Sequence, residues 1–168
     1  TLEACDLTGN TLVFFFSDNG AIGAGSNAPF RGGKFSHYEG GHRVPAIAYW
    51  PGEIKAGTTT DATVVAMDIL PTALDLAGVP HPAGRPLDGT SIKSLLLDQT
   101  PFPDRQLFFG YEPKLGTAMR DGDWKMIIKG DRTELYNLAT DIGERTDLTT
   151  RHPDRTKSMS AAIQAWKS

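Results

Sequence analysis

Residues 11–16 read TLVFFF, and residues 17–20 read SDNG. A short run, apolar from Leu12 onward and without alternation, is the pattern of a strand buried on both faces, as in a parallel sheet covered by helices. Gly9-Asn10 before it and Ser17-Asp18-Asn19-Gly20 after it are turn signals that bound the strand. In open α/β sheets ligands bind beyond the carboxyl ends of the strands. Chemistry is therefore expected in the residues that follow Phe16.

Working outward, residues 18–43 form a long loop with seven glycines and few aliphatic residues. Long loops of this kind in compact domains are uncommon and usually functional. Residues 44–50 (VPAIAYW), stopped by Pro51-Gly52, predict a second buried strand. Residues 62–66 are a short strand candidate. Asp68 is placed as an N-cap with Pro71 in the first turn, where its missing N–H does no harm. That helix runs to Ala77, with Gly78 at the left-handed position beyond it and Pro80 blocking continuation. Residues 91–97 predict a short helix.

From Gln106 the texture changes. Residues 107–111, 117–120, 124–129 and 134–137 are short runs separated by Gly116, Asp121-Gly122 and Gly130-Asp131, which predicts an antiparallel meander. Residues 153–168 close the chain as a helix with Met159, Ala162, Ile163 and Trp166 on one face. The expectation is an α/β chain. Residues 1–103 form a partial sheet with flanking helices, and residues 104–168 a small antiparallel subdomain with a closing helix.

The composition narrows the function. A chain of 168 residues, 39% apolar and 22% charged, can bury a real core. A net charge of -3 without a polybasic run argues against nucleic acid as a partner. No apolar run reaches the ~20 residues needed to span a bilayer. Cys5 is the only cysteine, which excludes an intrachain disulfide and a cysteine-based zinc site. The chain starts at Thr1 without a signal-peptide pattern, and residues 1–7 (TLEACDL) read as the last turns of a helix. A piece of a longer protein is the expectation.

Three groups in the loop carry candidate chemistry. Asp18 and Asn19 offer hard oxygen donors suited to Ca²⁺ or Mg²⁺, although Asp-Asn-Gly is also a common turn. Lys34 follows two glycines in Arg31-Gly32-Gly33-Lys34, so it can reach an anion unobstructed, or simply be a solvated loop lysine. The stretch is not a P-loop, because the spacing differs and no Ser or Thr follows Lys34. His37 is close enough to Lys34 to line the same pocket, or is a polar loop residue like His42. Glu39 and Arg43 are spaced to pair and pin the loop, a structural role.

Taken together, SDNG after a buried strand, RGGK, and YEGGHRVPAIAYWPG over residues 38–52 resemble the type I sulfatases of the alkaline phosphatase superfamily. The resemblance continues through MDILPTALDLAGVP, RPLDGTSIKSLLL, AMRDGDWKMI and ELYNLATDIGERTDL in the same order, and it covers nearly the whole chain. Residues 25–34 (GSNAPFRGGK) resemble most the arylsulfatase A and N-acetylgalactosamine-6-sulfatase group. The resemblance implies an alkaline-phosphatase-like sheet followed by the small antiparallel sheet and its packing helix. It also implies that Asp18 and Asn19 ligate an active-site Ca²⁺ and that Lys34 binds the sulfate group, making it the candidate catalytic residue. His37 is the weaker candidate for substrate binding. A sulfate ester transition state gathers negative charge on oxygen, and a cation plus an ammonium would stabilise it.

The family nucleophile is a formylglycine made from Cys in a C-x-P-S-R motif. Cys5 is followed by Asp6-Leu7-Thr8, so it is not that residue. The paired acidic Ca²⁺ ligands and other site Lys and His residues that precede this region in the family are also absent. By resemblance, the chain is expected to be the C-terminal portion of an enzyme acting on sulfated carbohydrates or aryl sulfates, inactive by itself, in a periplasmic, secreted or lysosomal setting. Its expected partners are a sulfate ester, together with the missing N-terminal sulfatase segment or a second copy associating through residues 11–16. Two readings stay open beside it, a phosphodiesterase or phosphonate hydrolase of the same superfamily and a non-catalytic binding or structural module.

Overall fold

The structure is a computed structural model that describes residues 1–110 and 114–168. The chain divides into two compact units, Thr1–Phe15 with Ile47–Pro103, and Phe16–Ala46 with Asp104–Ser168. Its described elements are strand β1 (Val13–Phe16), the one-turn helix α1 (Glu39–His42), β2 (Ala46–Tyr49), α2 (Ile69–Leu76), α3 (Lys93–Asp98), strands β3 (Gln106–Phe109), β4 (Thr117–Asp121), β5 (Trp124–Lys129) and β6 (Arg132–Asn137), and helix α4 (Pro153–Lys167).

In the first unit, β1 and β2 pair as a two-stranded sheet. The Trp50 indole N–H donates to the Gly9 carbonyl at 2.9 Å and ties the entry of β1 to the exit of β2. Residues 1–7 hold only a 3₁₀ turn, Glu3–Cys5, ended by Asp6 at φ 55. The apolar run of β1 predicts cover on both faces, but β1 has one neighbouring strand and Phe15 is 72% exposed. Residues 62–65 do not form the expected strand. The Asp68 carboxylate accepts the backbone N–H of Val65 (2.8 Å), a donor that a ladder would otherwise use, and that of Thr90 (2.9 Å). Asp68 thus ties the segment before α2 to residue 90, rather than capping α2 by a side-chain bond. Thr72 extends this buried joint, donating to the Asp68 carbonyl and accepting the Ile92 N–H at 3.0 Å. α2 ends at Leu76 with Ala77 as its C-cap, and Gly78 follows at φ 64, the left-handed position that the sequence predicts.

The second unit holds most of the buried apolar side chains. β3, β4, β5 and β6 form an antiparallel meander in sequence order. Tyr111, expected at the end of β3, lies outside the described residues. The Asp121-Gly122 turn pairs Asp121 with Trp124, with Gly122 at φ 56. Side chains alternate across the pleat. Met119, Met126 and Leu135 pack with Met159 and Ile163 of α4 on one face. Ala118, Ile127 and Tyr136 make the core of the other, against Tyr38 and Phe109. Trp166 stacks on Phe108, with ring centroids 5.2 Å apart and planes 7° apart. The fold is α/β, with an open antiparallel sheet and a C-terminal helix.

Candidate functional site

Residues 18–46 cover the second face of the meander, and the glycines explain how a backbone can fold on itself so closely. A Cβ on Gly20 would lie 1.7 Å from the Gly40 carbonyl oxygen, and one on Gly41 would lie 2.0 Å from the Ser36 carbonyl oxygen. Only a residue without a side chain permits these crossings. They let the Gly20 N–H donate to the Gly41 carbonyl at 2.9 Å and the Gly40 N–H to the Arg31 carbonyl at 2.8 Å. Asn27 completes the knot. Its carbonyl oxygen accepts the Ala21 N–H at 2.7 Å, and its amide donates to the carbonyls of Ala21 and Gly32.

Lys34 is placed by this knot. Its backbone N–H donates to the Ala21 carbonyl at 3.3 Å, which joins the Arg31-Gly32-Gly33-Lys34 turn to the segment just after Asp18 and Asn19. The Lys34 side chain is half-buried, with Nζ 5.5 Å from the Phe35 ring centroid. Asp18 is exposed, and its carboxylate makes no hydrogen bond or ion pair among the described residues. Asn19 donates its amide to the Gly20 carbonyl at 3.2 Å, which leaves its side-chain oxygen open. Two adjacent open oxygens fit part of a Ca²⁺ shell, which takes six to eight. The described residues contain no cluster of three or more His, Cys, Asp or Glu that would supply the rest.

His37 does not turn to Lys34. Its Nε2 sits 3.1 Å from the Gly116 carbonyl, which can only accept, so Nε2 carries the proton. Burial lowers its pKa, so the ring is neutral at pH 7. Among the described residues, no hydrogen bond or ion pair joins Lys34 to His37, Asp18 or Asn19.

The strongest interactions of the loop are ones that local sequence spacing does not reveal. Lys125 of β5 is fully buried. Its Nζ lies 2.7 Å from Glu39 Oε1, 3.1 Å from Glu144 Oε1 and 2.9 Å from His42 Nε2. His42 Nε2 also lies 3.1 Å from the His37 carbonyl, so it sits between a group that only donates and one that only accepts. Glu39 also pairs with Arg43 at 3.4 Å, as its spacing predicts, and with Arg120 at 3.7 Å. The Glu144 carboxylate accepts the Glu39 backbone N–H at 2.6 Å. A second layer lies beside it. Arg31 donates to the Tyr136 hydroxyl (3.0 Å) and the Glu144 carbonyl (2.8 Å), and its guanidinium lies 3.9 Å over the Tyr38 ring. Tyr38 and Tyr136 both donate to Glu134, at 2.7 and 2.9 Å.

The titration of these groups follows from their neighbours. Burial pushes the Glu39 carboxyl up, but Lys125 and then Arg120 outweigh it and hold it below the ordinary carboxylate range. Glu144 is raised, because burial outweighs the pull of Lys125. Burial and then Lys125 push His42 down to about 4. The signal for this network was present in the strand alternation. Arg120, Lys125 and Glu134 share a face with Ala118, Ile127 and Tyr136, and such a mixed face reads as half-solvated until a loop covers it.

Comparison with known proteins agrees with this architecture. The Sulfatase family model matches residues 1–79. An arylsulfatase of Hemicentrotus pulcherrimus is 40% identical over 136 residues, covering 78% of this chain and 24% of the relative. The N-acetylgalactosamine-6-sulfatase of Rattus norvegicus is 44% identical over 130 residues, covering 74% of this chain and 24% of its own length. The crystal structure of Ps i-CgsB in complex with k-i-k-neocarrahexaose superposes with a TM-score of 0.89 at 30% identity, over 99% of this chain and 38% of that one. The PsFucS1 sulfatase from Pseudoalteromonas sp. superposes at 0.78 with 28% identity, over 99% of this chain and 39% of that one. This chain thus spans about a quarter of the length of these curated relatives. Sequence matched over most of the chain and a fold matched over 99% of it lead to one conclusion: the chain belongs to the sulfatase family.

Proposed function

We propose that this chain supplies the sulfate-binding lysine and two cation ligands of a sulfate ester hydrolase. Lys34 holds the sulfate group. Its ammonium offsets the negative charge that grows on the sulfate oxygens and the leaving oxygen as the ester bond breaks. Asp18 and Asn19 hold Ca²⁺, which when bound supplies a Lewis acid that polarises sulfate oxygens. His37, neutral and held by Gly116, shapes the edge of the loop. Cys5 is not the formylglycine precursor, so the nucleophile belongs to a segment with the C-x-P-S-R motif. The exposed side chains of Phe15, Ile47 and Tyr49 on the β1–β2 sheet support a covering partner, either that segment or a second copy. The substrate class is a sulfated carbohydrate or an aryl sulfate. Along the chain, a boundary between residues 103 and 104 would divide the α/β part, residues 1–103, from the small antiparallel part with its closing helix, residues 104–168.

The observation that carries the reading is the Lys34–Ala21 backbone bond, which fixes the lysine turn to the chain just beyond Asp18 and Asn19. Amide chemical shifts of the ¹⁵N-labelled chain during titration with sodium sulfate test it. Shifts around Lys34 that vanish in Lys34→Ala are expected, while Asp18→Ala loses the response to CaCl₂ and keeps the response to sulfate. A sulfate response that survives Lys34→Ala overturns the assignment. The chain alone is expected not to turn over p-nitrophenyl sulfate.

A further inference from the structure

Phe35 holds a backbone conformation that aromatic residues rarely adopt, and its ring gains nothing from burial in return. The Ser36 N–H donates to the Gly33 carbonyl at 3.0 Å, closing a β-turn over residues 33–36. The Ser36 hydroxyl locks it, donating to the Gly33 carbonyl at 2.8 Å and accepting the Gly33 N–H at 3.2 Å. Lys34 and Phe35 are its two central residues. Phe35 has φ 71, a value that this turn position ordinarily gives to Gly or Asn. A bulky residue there is a true outlier, and such outliers concentrate at ligand-binding sites. The loop does place glycine where it needs positive φ nearby, at Gly32 with φ 76. The Phe35 side chain is 71% exposed, so the hydrophobic effect does not account for the residue. Single exposed apolar side chains are ordinary, but one at the tip of a locked turn, in a glycine conformation and beside a candidate anion-binding ammonium, is not.

We propose that Phe35 is a platform for the ring that carries the sulfate ester, and so a specificity-determining residue of the site. The inference rests on the reading of Lys34 as the sulfate-binding group. A sulfate held by Lys34 places the attached alcohol or phenol within a residue of the Phe35 ring, because both side chains leave the same turn. The ring face carries a negative quadrupole and a polarisable surface. It stacks on an aryl ring, or meets the C–H face of a pyranose. A substrate without a ring gains nothing from it.

Three esters separate the possibilities: methyl sulfate, which has no ring, p-nitrophenyl sulfate and N-acetylglucosamine 6-sulfate. Each is titrated into the ¹⁵N-labelled full chain, with thermal unfolding measured in parallel. The wild type is expected to bind at least one ringed ester more tightly than methyl sulfate. In Phe35→Gly that preference falls by about three- to tenfold, on the scale of one aromatic contact. Methyl sulfate binding and the unfolding midpoint hold or rise, since glycine accepts the positive φ without strain. Phe35→Trp restores the preference. Loss of preference for the aryl ester alone, or for the sugar alone, supports the platform and identifies its ring. A wild type without ring preference overturns the proposal, as does a Phe35→Gly chain that keeps it while Lys34→Ala abolishes binding of all three esters. A Phe35→Gly chain that unfolds earlier and weakens all three equally also overturns it, by showing a structural ring. If Lys34→Ala leaves all three unchanged, the sulfate reading itself has failed, and the platform falls with it.

Discussion

Lys125 has no access to water, and its ammonium is held by two carboxylates and an imidazole. Taking a charge out of water costs several kcal/mol, and partners recover it only when the geometry is good. Here the partners also solve a second problem. Arg120 and Lys125 are directly paired across β4 and β5, and like charges in that register repel. Glu39 meets both, at 3.7 and 2.7 Å. Removing Lys125 therefore leaves Glu39 and Glu144 facing each other without their common counter-charge. We expect Lys125→Met to cost about 3–5 kcal/mol in urea unfolding. Adding Glu39→Gln should recover part of that loss, because the two changes act on one interaction. Strict additivity in the double-mutant cycle would show that the pair is not a unit. The sequence disclosed one edge of this network, the four-residue spacing of Glu39 and Arg43. It hid Lys125, because 86 residues separate it from Glu39 and no local periodicity connects them.

At the scale of elements, the meander was legible and the loop was only half legible. Short β-rich runs bounded by Gly122 and Gly130 fix strand number and order, because turn chemistry is local. The segment at residues 62–66 misled for the opposite reason. Its apolar texture suits a strand, but the Val65 N–H goes to the Asp68 carboxylate and the Ala62 N–H to the Thr60 hydroxyl, choices made by residues outside the run. For the loop, the glycine count pointed to function, while the carbonyl crossings that need glycine appear only in three dimensions. Gly41→Ala tests those crossings. Its Cβ would meet the Ser36 carbonyl oxygen, which belongs to backbone and cannot swing aside. The variant should lose hydrogen-exchange protection at Gly20, whose N–H bonds to Gly41, and around α1. Slow exchange in β4 and β5, which pack with α4, should persist. Uniform loss across the meander would mean that loop and sheet unfold as one element.

For the whole molecule, the same network sets the response to acid. His42 has a folded pKa of about 4 against an ordinary 6.5, so between those values the unfolded chain binds a proton that the folded chain refuses. Stability therefore falls as pH falls through that window, by about 3 kcal/mol at most from this group. His37, also lowered by burial, adds the same sign. Glu39 continues the trend further down. Its lowered carboxyl contributes stability above its unfolded pKa, and that contribution is lost as pH falls through the folded value. Glu144 opposes them. Its raised pKa means that the folded chain takes up a proton first, so its contribution is greatest at acid pH and declines as pH rises through the raised value. His42 carries the largest displacement of these groups and sets the net sign, so the unfolding midpoint should fall from pH 6.5 to pH 4. His42→Gln keeps an acceptor for Lys125 but cannot titrate, so it should flatten that slope without removing it. A wild-type midpoint that stays constant across the window would mean that the imidazole gains its proton without disturbing Lys125, and that the cluster is far wetter than its burial implies.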